Sequence, residues 1–313
     1  MVPYNPARLL IITADDFGAS KNINEGIKFA ANNGAITAIS VLSNFEESLS
    51  DLKTISEKHQ EISIGVHLNI FTGIPLIEAE QVPSLVDNDG VFYTVDNLLL
   101  KTSDVVIDEL KKELREQILV FKKYNIKVSF LSDQCGVLSM YPPFFNVITE
   151  LAKEFNIPVR SPVSASRKYP DLFSKCKLNK YGRKKVCKCI CIAPFKAIKL
   201  LTYTRINEME QKVQKLDELG ILYPDVFIVN FWGNPTASNL IYILEHLPAG
   251  TSELVLHFGN YIRDTNCPSG LDTDYFKNRE CELTTVTSNY IKEYINYLNI
   301  KTIGYSEIPN KTN

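Results

Sequence analysis

Two carboxylates stand side by side in the stretch LLIITADDFG, Leu9 to Gly18. Asp15 and Asp16 follow an apolar run that reads as a buried strand. Like charges held close repel, and each loses water when buried. Such a pair persists where a cation, a proton or a substrate hydroxyl offsets that cost. Two histidines end other apolar runs: His67 in IGVHLNIFTGIP and His257 in ELVLHFG. Carboxylate and imidazole donors together suit Zn²⁺ and similar divalent ions. Amide hydrolysis needs a Lewis acid for the carbonyl, a base for water and an acid for the leaving amine. Asp and His can fill these roles. A plainer reading stands beside this one. One Asp caps the next helix while its neighbour is solvated, and each His is a satisfied core residue. Residue types alone leave both open.

The elements that must position these groups alternate along the chain. RLLIITAD, AITAISVLSN, ISIGVHLNI, KVSFLSD, IPVRSP, DVFIVNF, SELVLHFG and KTIGYSE read as strands. Helical patterns lie between the early ones: NINEGIKFAANNGA, ESLSDLKTISEKH, SDVVIDELKKELREQILVFKKYN and PPFFNVITELAKEFN, the last opening on prolines whose missing N–H costs little there. This alternation predicts an α/β fold with a parallel sheet or barrel. Polar residues gather where strands end: Asp15, Asp16, Asn44, His67, Asn69, Asp133, Arg160 and His257. In parallel α/β folds the site lies at the carboxyl ends of the strands.

The chain has 313 residues, 45% of them hydrophobic, enough for a large core. A net charge of -2 selects no partner, and nothing points to nucleic acid. No apolar run is long enough to span a membrane, and MVPYNPARLL does not read as a signal peptide. Seven cysteines, an odd number, suggest reduced thiols and a cytoplasmic protein. The one compositional shift is residues 174–205, strongly basic, with Cys187, Cys189 and Cys191. It reads as a lid inserted in a single domain spanning 1–313. Its three cysteines lack a second ligand pair nearby, so a structural or incidental role is expected for them. Its basic residues read as a solvated face, and they would also suit an anionic substrate, an anionic membrane surface or a lipid-linked sugar.

The motifs resemble the YdjC-like carbohydrate deacetylases, which include the chitooligosaccharide deacetylases. TADDFGASKNINEGI matches the family's opening motif, GAITAISVLSN its second strand and IGVHLNIFTGIPL its His-Leu-Asn segment. ELREQILVFKKYNIKVSFLSD, LPAGTSELVLHFGNYIRD and the segment from Tyr275 to Ile308 match later parts in order. The resemblance implies a distorted (β/α) barrel, of the TIM-like or NodB-like deacetylase kind. It implies metal-dependent removal of an acetyl group from an N-acetylated saccharide. It makes Asp15 the base, His257 the acid, and Asp16 and His67 ligands of a divalent metal, zinc first, magnesium or another ion otherwise. Asn44, Asn69, Asp133, Arg160 and Arg279 would bind substrate, and a homodimer is compatible with it.

One motif departs. Where the family has Asp-Ser-His-x-His-x-His ahead of a proline, this chain reads SDQCGVLSMYPP. With Asp133 on the family Asp and Pro142 in register, Cys135, Val137 and Ser139 stand on the three His positions. Cys135 is then the expected third ligand, since a thiolate binds zinc well. The late His-Pro-Gly also becomes His257-Phe258-Gly259. The alternative is a degenerate relative that binds carbohydrate without hydrolysing it.

Overall fold

The computed structural model describes residues 7–173, 194–259 and 273–310. Seven parallel strands are β1 (Arg8–Phe17), β2 (Ala38–Val41), β3 (Ser63–Leu68), β4 (Phe130–Asp133), β5 (Val226–Ile228), β6 (Gly250–Leu256) and β7 (Ile300–Thr302). Their order is β4-β3-β2-β1-β6-β5, with β7 on β1. The first half of β1 pairs with β7 and its second half with β2, so both share one flank of the central strand. Every residue of β1 from Leu10 to Phe17 is buried, as expected of a parallel strand covered on both faces.

The gap between β4 and β5 is bridged, not open. Leu131 pairs with Val159, and Ser164 pairs with Phe227, each through one isolated parallel bridge. The predicted strand at 157–162 therefore acts as an irregular stave. Pro158 and Pro162 have no N–H for a ladder, which explains why only isolated bridges form. The strands and this stave make a distorted (β/α) barrel, as the resemblance implies.

Helices numbered among the described residues are α1 (Lys21–Asn32), α2 (Glu47–Lys58), α3 (Val95–Lys101), α4 (Ile107–Lys123), α5 (Val137–Met140), α6 (Pro142–Phe155), α7 (Ala165–Lys168), α8 (Pro194–Thr202), α9 (Ile206–Leu219), α10 (Ala237–Glu245), α11 (Thr273–Val286) and α12 (Asn289–Tyr297). They bury apolar stripes at helical spacing: α1 buries Ile23, Ile27, Ala30 and Ala31. α6 begins with Pro142 in its first turn, as predicted. α4 begins at Ile107, later than its pattern suggested. Most of the expected lid, residues 174–193 with Cys187, Cys189 and Cys191, lies outside the described residues. Its last part forms α8 and exposes Phe195 and Ile198. Among the described residues no helix is long and apolar enough to cross a membrane.

Inside the barrel Tyr305 stacks on Phe130, ring centroids 3.9 Å apart and parallel to within 1°. Gly65 makes room for this pair: a Cβ there would lie 2.4 Å from Phe130 Cε1.

Candidate active site

A local irregularity lets both aspartates face the same place. Alternation in a regular strand would send Asp15 and Asp16 to opposite faces. The β1–β2 register instead shifts between Ala14 and Phe17, and Asp16 adopts φ 73°. Asp tolerates this left-handed conformation better than most residues. The bulge brings both carboxylates to His67 on β3: Nε2 lies 3.8 Å from Asp15 Oδ2 and 3.6 Å from Asp16 Oδ1. The turn is tied to α1 by Asn24, whose Oδ1 accepts the Gly18 N–H at 2.7 Å. Gly18, at φ 104°, admits no side chain, because a Cβ would meet the Leu42 carbonyl at 2.8 Å.

Each aspartate has its own arginine. Arg160 donates two 2.8 Å hydrogen bonds to Asp15, from Nη1 to Oδ2 and from Nη2 to Oδ1. The same guanidinium donates to Glu253 on β6, from Nη2 at 2.9 Å and from Nε at 3.1 and 3.2 Å. Thr13 adds a 2.7 Å bond to Glu253. Arg279 on α11 donates to Asp16 at 2.5 Å and to the Phe258 carbonyl at 3.2 Å. Burial alone would raise both aspartates. The arginines together with His67 and His257 outweigh it: Asp15, beside Arg160, lies below the usual carboxylate value, and Asp16, beside Arg279, lies well below it. Both are ionised at neutral pH.

The expected metal centre is only partly assembled. His67 Nδ1 is 2.9 Å from Ser132 Oγ, which leaves Nε2 directed at the carboxylates. Asp16 and His67 could thus be two ligands of one ion. The third is not in place. Cys135 sits at φ 56° beside Gly136 at φ 69°, a left-handed turn that leaves the thiol side exposed. Asp133 is taken by Ser139, whose N–H and hydroxyl donate to it at 3.0 and 2.5 Å. Among the described residues no group of three or more His, Cys, Asp or Glu could hold a metal ion. The residues present do not fit a centre with three protein ligands, the usual catalytic zinc arrangement. Cys135 lines the cavity that also holds Asp15 and His257, and no such group of three donors among the described residues includes it.

His257 ends β6 and lines one cavity with Asp15, Asp133, Cys135, Arg160 and Lys212, about 360 Å³ in volume. Trp232 lies against its ring, centroids 4.7 Å apart. Burial lowers His257 to about 4, so its imidazole is neutral at pH 7. Behind it, the fully buried Glu282 of α11 accepts the His257 backbone N–H at 2.6 Å. Burial raises this carboxyl to about 8.

Asn44 and Asn69 are bonded into the loop after β3. Asn44 donates to the Thr72 and Ile74 carbonyls at 2.8 and 3.2 Å, and Asn69 donates to Asn44 and to Thr72 at 3.0 and 2.7 Å. Neither lines the cavity of Asp15 and His257. Sequence reasoning passed over Glu253, Ser132, Lys212, Trp232 and Glu282. Glu253 carried a readable signal, a carboxylate inside the apolar run SELVLHFG.

The profile of the YdjC-like protein family matches residues 9–297. A carbohydrate deacetylase of Brevibacillus brevis is 26% identical over 300 residues, 96% of this chain and 99% of its own length. Another from Clostridium beijerinckii is 26% identical over 299 residues, 96% and 99% of the two chains. A crystal structure from Enterococcus faecalis V583, described as a candidate cellobiose-phosphate cleavage protein, superposes with a TM-score of 0.74 at 21% identity. It covers 96% of this chain and 98% of that one, and it shares the fold. With the barrel, the paired aspartates and the match over nearly its whole length, this chain belongs to the YdjC-like family.

Proposed function

We propose that this protein hydrolyses the acetyl amide of an N-acetylated carbohydrate, releasing acetate and a free amine. The observation that carries the reading is Asp15, held ionised by a bidentate arginine, opening on the same cavity as His257. The names of the curated relatives support the same substrate class. In this reaction Asp15 takes a proton from water as the water oxygen bonds to the carbonyl carbon. The C–N bond then breaks, and the leaving nitrogen takes a proton from His257. Arg160 positions Asp15 and keeps it a base. Lys212, whose Nζ donates to the Met140 carbonyl at 2.9 Å, adds positive charge to the cavity wall. Burial lowers it to about 8, which leaves it mostly charged at neutral pH.

The incomplete ligand set favours a second reading: a relative that binds carbohydrate without cleaving it. Asp15→Asn separates the two. The amide keeps the shape but cannot accept the proton, so acetate release should fall by about 10²–10⁴-fold while saccharide affinity stays. Turnover equal to the parent's would show that Asp15 is not the base.

A further inference from the structure

The cavity of Asp15 and His257, about 360 Å³ in volume, has an apolar wall beside its reacting end: Met140, Pro162, Tyr203, Met209, Phe227 and Val229. These side chains come from separate elements. Met140 ends α5, Met209 is on α9, Phe227 is in β5 and Val229 directly follows it. An acetyl group presents one methyl, which covers little of such a wall. The rest faces another part of the substrate, and apolar surface gains most from a group that also prefers to leave water.

The polar side chains of the same cavity are engaged within the protein. Ser139 donates to Asp133 at 2.5 Å, and Ser161 Oγ accepts the Val163 N–H at 3.1 Å. Thr204 donates to the Leu201 carbonyl at 2.8 Å, and Lys212 to the Met140 carbonyl at 2.9 Å. Arg160 is held by Asp15 and Glu253. What remains are the other N–H groups of Lys212 and the Tyr203 hydroxyl, which suit the few oxygens of a linkage more than those of a whole ring. A second sugar ring against this wall would bury hydroxyls without full partners, and each costs free energy. A hydrocarbon chain has no hydroxyl to satisfy.

We propose that the substrate is an N-acetylated amino sugar bearing an apolar aglycone, and that this wall takes the first carbons of that chain while Asp15 and His257 act on the acetamide. The inference rests on the deacetylase reading, because that reading limits the acyl group to acetyl and leaves the wall to the other end of the molecule. The apolar surface also continues beyond the cavity. Tyr203 and Thr204 directly follow α8, on which Phe195, Ile198 and Leu201 are exposed at intervals of three residues, neighbours on a helix surface. A chain too long for the cavity meets that row where it leaves past Tyr203.

Binding tests this without activity. The probes are the methyl, butyl and hexyl glycosides of N-acetylglucosamine, with N-hexanoylglucosamine as the control for the acyl end. In calorimetry on the parent, affinity should rise about fourfold for each methylene added from methyl to butyl, the worth of one buried CH₂. The heat-capacity change of binding should become more negative along the same series. Val229→Asn and Met209→Gln should each cut the butyl-over-methyl gain, about 60-fold in the parent, by fivefold or more. Val229 is 37% exposed, so its substitution alters the wall without opening the core. Equal affinity for the methyl and hexyl glycosides would overturn the proposal, even with acetate released from both. So would a gain for N-hexanoylglucosamine that the hexyl glycoside lacks, which would make the wall an acyl pocket, or a chain-length gain that both variants keep. If the glycosides bind with the expected gain and none releases acetate, the deacetylase reading fails and the aglycone site stands.

Discussion

Removing Arg160 should both loosen the barrel and silence the base. The guanidinium is 9% exposed and bridges Asp15, 3% exposed, and Glu253, which is fully buried. Five donor–acceptor contacts of 2.8–3.2 Å join the three groups. Arg160→Met fills much of the volume but leaves two buried carboxylates without their cation. Breaking a buried pair by deleting one partner typically costs about 3–5 kcal/mol. The sign with pH follows from protonation. In the parent, Asp15 lies below its usual value, so its contribution is present above pH 4 or so and is lost as pH falls through its lowered value. In the variant, burial without Arg160 raises Asp15, and the cost of its buried charge grows as pH rises from about 4 toward 7. Urea unfolding at several pH values should therefore show a small difference near pH 4 and about 3–5 kcal/mol at pH 7. A second variant, Arg160→Met with Glu253→Gln, should recover part of the loss by removing one stranded charge. A loss below about 1 kcal/mol at pH 7, the worth of an exposed ion pair, would refute this account of the network.

Cys135→Ser should leave the zinc content of the purified protein unchanged, as measured by mass spectrometry, because Cys135 is exposed and belongs to no group of three donors among the described residues. A stoichiometric zinc lost in this variant would restore the ligand role. Gly65→Ala should destabilise the fold by about 1–3 kcal/mol in urea unfolding, because the new methyl collides with the Phe130 ring. An unchanged midpoint would mean that the Phe130–Tyr305 stack has room to move.

The architecture was legible because period and run length report it directly: apolar runs ending in polar residues became β1, β3 and β6 with Asp15, His67 and His257 at their ends. The bulge was not legible. Nothing in TADDFG says that Asp16 turns left-handed, yet that turn aims both carboxylates at His67. The partners of the site were harder still, because they are distant in sequence. Arg160 meets Asp15 across 145 positions and Arg279 meets Asp16 across 263. Each arginine could be suspected, but not paired. Register alone placed Cys135 on a ligand position. What register could not show is that Cys135 and Gly136 are successively left-handed and that Ser139 donates to Asp133. The stave at 157–162 shows the same limit: its apolar pattern is strand-like, while its prolines deny it a ladder.

The central claim is hydrolysis at Asp15 and His257, and the direct measurement is acetate. Purified protein, as isolated and with added zinc or magnesium, should release acetate and free amine in equal amounts from at least one member of a panel of N-acetylated saccharides. Asp15→Asn should lower that rate by about 10²-fold or more in protein that keeps the parent's circular dichroism. Saccharide binding by calorimetry with no acetate released under any of these conditions would contradict the account and leave a carbohydrate-binding relative in its place.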